Sequence, residues 1–238
     1  MYQLFYTPSW FNGFDLAFEL IGLVITLLIA GYSWKVYQLS KENRFAYFSL
    51  AFVMVALGLV SKVFTSSVLY FIPVRDVVAD VLVPVMGGTL NYSDLFYRAA
   101  FFGQMVLMLG AWLLIFFISQ KSRERLRKYH EVSQLALFVY LILLISVVSN
   151  FKYSVFYLTS AVILGMTTLN YYKNYLNTNG NKKAFLVMLA FLFILFSNIC
   201  YIFVFIWSSF YVLGEVFLLV GFLLLLYAYR QISKSRLN

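Results

Sequence analysis

Long apolar runs follow one another along this chain and limit what it can fold into. Each run has about 20 residues, which is the length a helix needs to cross the ~30 Å hydrocarbon core of a bilayer. The composition agrees, because 63% of the 238 residues are hydrophobic and 11% are charged, whereas a soluble domain is roughly half apolar and a quarter charged. No segment between the runs is long enough to bury a core of its own. We therefore predict one all-α integral membrane domain over 1–238, placed in the cell membrane as a multi-pass protein.

The apolar runs predict seven transmembrane helices. Their expected spans are 14–39, 45–72, 94–120, 133–149, 152–175, 183–207 and 209–232. Fourteen of the 18 Lys and Arg residues lie in or beside the loops after the first, third and fifth spans, or in the C-terminal tail. Because cytoplasmic loops carry the excess of Lys and Arg, this distribution places the N-terminus outside and the C-terminus inside.

The basic residues also suggest partners. The loop after the third span has the densest run, which comprises Arg123, Arg125, Arg127 and Lys128. We expect this run to contact anionic lipid headgroups of the bilayer or a cytoplasmic signalling partner. The net charge of +9 therefore reflects membrane topology, and no nucleic-acid partner is predicted. A homo-oligomer is compatible with the sequence.

The first and second halves of the chain resemble each other in sequence. Two pairs of segments align: 34–64 with 172–203, with one inserted residue, and 103–114 with 214–225. The second alignment places Gln104 on Glu215. These matches predict a parallel repeat of two three-helix halves, about 14–120 and 152–232, joined by a linker helix at about 133–149. Apolar helices with basic loop ends can also resemble each other by composition alone. Glycines in the spans are expected at packing seams: Gly22, Gly31, Gly58, Gly103, Gly110, Gly214 and Gly221.

Away from the basic loop ends, charged side chains are sparse within the spans, and they fall in the predicted outer half. The candidate site, a ligand-binding pocket or ion-pair network, comprises Glu19, Lys62, Arg98, Gln104, Asn198, Tyr201 and Glu215. A charge at mid-membrane depth costs about 2.5–3.5 kcal/mol, and pairing inside the bundle removes most of that cost. Two interpretations remain open: a polar cavity, open to the outside, that binds a small ligand or an ion, and a packed network that fixes the helices.

Several kinds of chemistry are missing from the sequence. The single histidine, His130, and the single cysteine, Cys200, cannot build a multi-histidine zinc site, a bis-histidine haem site or a cysteine cluster. No nucleophile elbow, His-Glu-x-x-His pair or phosphate-binding glycine loop occurs. We therefore predict that the protein is not an enzyme and that it needs no cofactor or metal.

The stretch EVFLLVGF, from Glu215 to Phe222, resembles the seventh helix of the microbial rhodopsins. In that family an acidic counter-ion precedes the retinal-binding lysine by four residues, and a Val-Gly-Phe-like run often follows. Arg98 near the outer end of the third span is a second likeness. Leu219 stands at the lysine position, so no Schiff base can form, and LFSNICYIF lacks the family's Trp and Pro markers of the sixth helix. The resemblance implies a seven-helix fold without covalently bound retinal.

A three-one-three parallel plan is also similar to that of the semi-symmetric sugar and vitamin transporters. Those proteins carry prolines in the repeated helices, where this chain has none. We predict a receptor or sensor that binds a small ligand or ion in an outer polar pocket and is not a retinal photoreceptor. The alternatives are a small-molecule transporter that works across the repeat axis and a structural or assembly protein without a ligand.

Overall fold

A computed structural model shows an all-helical protein. It describes residues 7–8, 10–11, 13–71, 73–74, 77, 92–120 and 153–237, and it leaves the side chains of 69–70, 92–100, 153 and 235–237 undescribed. This part of the chain contains six long helices: α1 (Phe14–Ser40), α2 (Asn43–Tyr70), α3 (Tyr92–Ser119), α4 (Tyr153–Asn177), α5 (Lys182–Ile202) and α6 (Ser209–Leu237). A 3-10 turn, Phe203–Phe205, separates α5 from α6.

Five of these helices have segments long and apolar enough to cross a membrane. The segments are Phe14–Ser40, Asn43–Val68, Phe101–Ser119, Lys182–Phe205 and Ser209–Lys234. The remaining helix, α4, is less apolar because it contains several hydroxyl side chains. Some of these hydroxyls donate hydrogen bonds to carbonyls of the same helix. Thr159, Thr167 and Thr168 each donate to the carbonyl one turn earlier, at 2.8 Å. The predicted linker helix at 133–149 lies outside the described residues.

The helices pack as a closed ring. Each helix contacts the next one along the chain, and α6 returns to contact α1. Large side chains that are fully buried fill the interior, among them Phe48, Phe52, Phe191 and Phe222. Phe48 stacks on Tyr229 with 4.6 Å between ring centroids, which ties α2 to α6. Asn170 Nδ2 donates to Ser119 Oγ at 3.0 Å, which bridges α3 and α4.

Polar side chains join α1 to α2 at the end where the chain turns between them. Ser33 Oγ donates to the carbonyl of Phe45, and Ser49 Oγ donates to the carbonyl of Ala30, both at 2.9 Å. In an apolar bundle a polar group has few other partners, so hydroxyl groups that bond between helices stabilise the contact of those helices. The turn itself passes through Lys41 in the left-handed conformation, with φ of 57°.

Two helix ends differ from those predicted. The sixth span is predicted to continue to 207, but α5 ends at Ile202. The amides of Phe203 and Ile206 donate to carbonyls three residues earlier, those of Cys200 and Phe203, so the chain continues as a 3-10 turn. The seventh span was expected to end at 232, where the apolar run ends. Instead α6 continues to Leu237, because its last residues include Lys and Arg, which form helix well in a polar environment.

Glycines lie at some of the predicted packing seams. A Cβ added to Gly221 would lie 2.6 Å from Ile194 Cγ1, and one added to Gly214 would lie 2.7 Å from Tyr201 Cε1, so both glycines allow α6 to approach α5 closely. Gly58 has the same role against Met108 of α3, at 3.2 Å. Among the described residues, no atom lies within 4 Å of a Cβ added to Gly31 or Gly103. These two glycines therefore mark no seam within the described part of the chain, because a glycine's place in the sequence does not say which helix face packs.

Candidate functional site

Three charged side chains from three helices meet inside the ring. Lys62 of α2 places its Nζ 2.5 Å from Oε1 of Glu215 on α6 and 3.0 Å from Oε1 of Glu19 on α1. The three side chains are at most 4% exposed. We call Glu19, Lys62 and Glu215 the triad. Because burial removes hydration from all three charges, their mutual attraction replaces water as the source of stabilisation.

Tyrosine rings surround the ammonium group of the triad. Lys62 Nζ lies 5.3 Å from the ring centroid of Tyr211 and 5.9 Å from that of Tyr201. Tyr157 continues the cluster, with its ring centroid 4.7 Å from that of Tyr201. A cation over an aromatic face gains about 2 kcal/mol or more where both are desolvated. Two carboxylates and two aromatic faces therefore hold the ammonium.

A cavity of about 30 Å³ lies beside Lys62. Its walls come from five helices and consist of Leu59, Lys62, Gln104, Met108, Trp112, Phe156, Tyr157, Asn198, Tyr201 and Leu218. The amide, hydroxyl and ammonium groups in this set give the cavity a polar part, and the remaining side chains give it an apolar part. One water needs roughly 10–15 Å³ of such space, so the cavity has room for about two waters or one group of similar size.

Several buried polar atoms of the triad, of the tyrosines beside it and of Ser197 on α5 have no hydrogen-bond partner within the described part of the chain. They are Glu19 Oε1 and Oε2, Tyr201 Oη, Tyr211 Oη and Ser197 Oγ. Glu19 Oε1 still faces Lys62 as an ion pair, at 3.0 Å. Buried polar groups nearly always have a hydrogen-bond partner. Such a concentration of unpartnered hydroxyl and carboxylate groups is therefore suited to a small polar occupant.

The charges of the triad do not balance, because two carboxylates face one ammonium. A further buried acid, Asp15, lies one turn before Glu19 on α1. Its Oδ1 accepts hydrogen bonds from the amides of Gly13 and Leu16, each at 2.9 Å, so it has a structural role at the start of the helix. Within the described ranges no group of three His, Cys, Asp or Glu side chains could hold a metal ion.

The other predicted site residues fall into two groups. Gln104, Asn198 and Tyr201 are buried and line the cavity with Lys62. Asn198 Nδ2 donates to the carbonyl of Ile194 at 2.8 Å, so part of its amide is committed to its own helix. Arg98 belongs to α3, but its side chain lies outside the description. The basic loop residues Arg123, Arg125, Arg127 and Lys128 also lie outside the described residues.

Tyr157 and Tyr211 belong to the site and were not predicted. Residue type gave no signal, because the chain has 19 tyrosines. Spacing did give one: Tyr211 precedes Glu215 by four residues, so the two share a helix face. A second signal comes from the repeat. The register that pairs Lys35 with Lys173 also pairs Glu19 with Tyr157, although both residues precede the aligned segments 34–64 and 172–203.

Comparisons of the chain with protein-family models, with curated proteins and with solved structures find no match. Function must therefore be argued from the site itself, from the chemistry and geometry of the residues that form it.

Proposed function

We propose that the chain is a seven-span receptor or sensor of the cell membrane, with its N-terminus outside and its C-terminus inside. A small ligand or ion binds at the triad in the outer half of the bundle, and the inner loops pass the change to a cytoplasmic partner. The observation that supports this proposal is the buried triad beside a small, mainly apolar cavity that polar groups of Gln104, Asn198 and Tyr201 also line. Ionisable residues inside apolar bundles are costly, and they mark functional sites when they face the interior.

The rest of the ring favours binding and response over conduction. Within the described ranges the only buried Asp, Glu, Lys, Arg or His side chains are Asp15, Glu19, Lys62 and Glu215. The buried polar groups at the far end of the ring include Ser33 and Ser49, whose hydroxyls bond to backbone carbonyls. A proton or ion path would need ionisable or hydrated groups to continue beyond the triad, and these hydroxyls do not supply them.

The proposed orientation can be tested by cysteine labelling. Cys200 is first changed to Ser, and single cysteines are then placed at Ser208, between α5 and α6, or at Thr178, between α4 and α5. Both positions are exposed, so both should react once they are accessible. We expect a membrane-impermeant maleimide to label Ser208→Cys in intact cells, and Thr178→Cys only after permeabilisation. The reverse pattern would contradict the N-out orientation.

Ligand binding can be tested with purified protein in lipid nanodiscs. We expect at least one class of small ion or polar solute to raise the Tm of the wild type in a saturable way. The same compound should act much more weakly on Glu215→Gln, which removes one of the two carboxylates that hold Lys62. The exposed variant Arg44→Gln is the matched control and should respond like the wild type. If no compound of a broad panel stabilises the wild type, a structural or assembly role is favoured.

A second candidate, a small-molecule carrier, has a separate observation in its favour. The registers of the repeat pair Glu19 with Tyr157, Lys62 with Tyr201 and Gln104 with Glu215. All six side chains lie at or beside the triad, and carriers built from repeats bind substrate where the repeats meet. Burial supports the repeat. It pairs Phe52 with Phe191 and Val55 with Ile194, and the two members of each pair are equally buried. Uptake of a stabilising solute into proteoliposomes would favour this candidate over the receptor.

A further inference from the structure

We propose that the centre of the ring is a recognition site for a primary ammonium group, which Lys62 occupies in this structure. The ligand is then a small organic amine whose ammonium binds Glu19 in place of Lys62. This inference rests on the proposed function and names the chemical class of its ligand.

The surroundings of Lys62 Nζ are those that ammonium recognition requires. An ammonium has three N–H donors and no acceptor, so it needs acceptors on several sides. Glu215 and Glu19 supply carboxylate oxygens at 2.5 and 3.0 Å. Tyr211 and Tyr201 present ring faces within 6 Å, and aromatic faces combined with negative charge favour organic cations.

Glu19 is the carboxylate that can exchange its partner. Its distance to Lys62 is the longer of the two, and Oε2 makes no hydrogen bond to any described residue. Lys62 Nζ also lies 2.5 Å from Glu215 Oε1, so Glu215 is available as its partner when Lys62 leaves Glu19. An incoming ammonium on Glu19 would then balance the two carboxylates with two cations, which removes the excess negative charge of the triad.

The cavity beside Lys62 sets the size of the ligand. Lys62 has a flexible four-carbon stem, and the adjoining space of about 30 Å³ is lined by Gln104, Tyr157 and Asn198. The ammonium of Lys62 can turn toward these polar groups while an amine takes its place on Glu19. Only a small amine fits, of the size of methylammonium or ethylammonium. An anionic ligand is disfavoured because two carboxylates flank the site.

The test is chemical rescue of Lys62→Ala. This change removes the internal ammonium, leaves both carboxylates, and enlarges the cavity. We expect ethylammonium chloride to raise the Tm of Lys62→Ala by about 5 °C or more at saturation. Sodium chloride at equal ionic strength and tetramethylammonium chloride, which has no N–H donor, should not do so. Rescue by all three salts alike, or by none, would overturn the inference.

A second comparison covers the case in which Lys62→Ala does not fold. Glu19→Gln keeps the 1:1 pair of Lys62 with Glu215, so it should fold. We expect ethylammonium to raise the Tm of the wild type with a half-maximal concentration at least about tenfold lower than for Glu19→Gln. Equal half-maximal concentrations, or no response of the wild type, would overturn the inference. If another solute stabilised the wild type and not Glu215→Gln while amines had no effect, the proposed function would stand and the amine assignment would fall.

Discussion

Lys62→Met is expected to lower the free energy of unfolding by about 3–5 kcal/mol, because it leaves Glu19 and Glu215 buried without their shared cation. The methionine fills most of the space of the lysine stem, so the loss comes mainly from charge. The measurement is denaturant unfolding of the purified protein in mixed micelles, followed by circular dichroism. The three charged side chains are at most 4% exposed, so screening by salt should change the result little.

Exposed charges provide the matched control for Lys62→Met. Arg44 pairs with Glu42 at 2.5 Å, but their side chains are 49% and 42% exposed. Arg44→Met should therefore cost only about 0–1 kcal/mol. Lys35→Met, at an exposed position of α1, should have a similarly small effect. If Lys62→Met cost no more than these variants, the triad would be hydrated and not buried.

Removal of the two carboxylates should restore part of the stability that Lys62→Met loses. Glu215→Gln alone leaves Lys62 paired with Glu19 at 3.0 Å, so we expect it to be milder than Lys62→Met. The triple variant Lys62→Met, Glu19→Gln, Glu215→Gln has no buried charge at the triad. It should regain most of the stability that Lys62→Met loses, because neutral groups cost far less to bury than unpaired ions.

The meeting of Glu19, Lys62 and Glu215 could be predicted from the sequence because an ionisable group within an apolar helix has few alternatives to an opposite charge. Their depths along the helices were compatible, and the bundle is small. The tyrosines could not be chosen in the same way. A tyrosine is stable at a lipid interface, in a core or beside a cation, so its residue type does not distinguish Tyr201 at the triad from the exposed Tyr227.

Helix ends were predicted less well than helix centres, for a physical reason. Apolar runs report where the chain avoids water, whereas helix ends depend on local hydrogen bonding. At Ile202 the two measures disagree because the apolar run continues through a 3-10 turn. At Leu237 they disagree in the other sense, because the helix continues into polar sequence. Pairing of helix faces, as at Gly31, needs coordinates, since an all-round apolar helix has little pattern to indicate its packed side.

Gly221→Ala is expected to destabilise the protein by about 1–3 kcal/mol, since overpacking a close helix contact forces the backbone to shift. The added Cβ would lie 2.6 Å from Ile194 Cγ1 and 3.0 Å from the carbonyl oxygen of Ala190. A side chain can rotate away, but the carbonyl belongs to the α5 backbone, so α5 and α6 must separate. Thermal unfolding of the purified protein measures the loss.

Gly103→Ala is the control for Gly221→Ala. No atom of the described residues lies within 4 Å of a Cβ added there, and alanine favours helix over glycine by roughly 0.5–1 kcal/mol, so this variant should be neutral or more stable. Gly214→Ala should give a third result. The three atoms nearest its added Cβ all belong to the ring of Tyr201, the first at 2.7 Å, so the ring must turn beside the triad. If close packing at Gly221 holds α5 and α6 together, Gly221→Ala lowers the Tm more than Gly103→Ala and Gly214→Ala do. Gly214→Ala should in addition change the response to amines, because Tyr201 lies beside the triad.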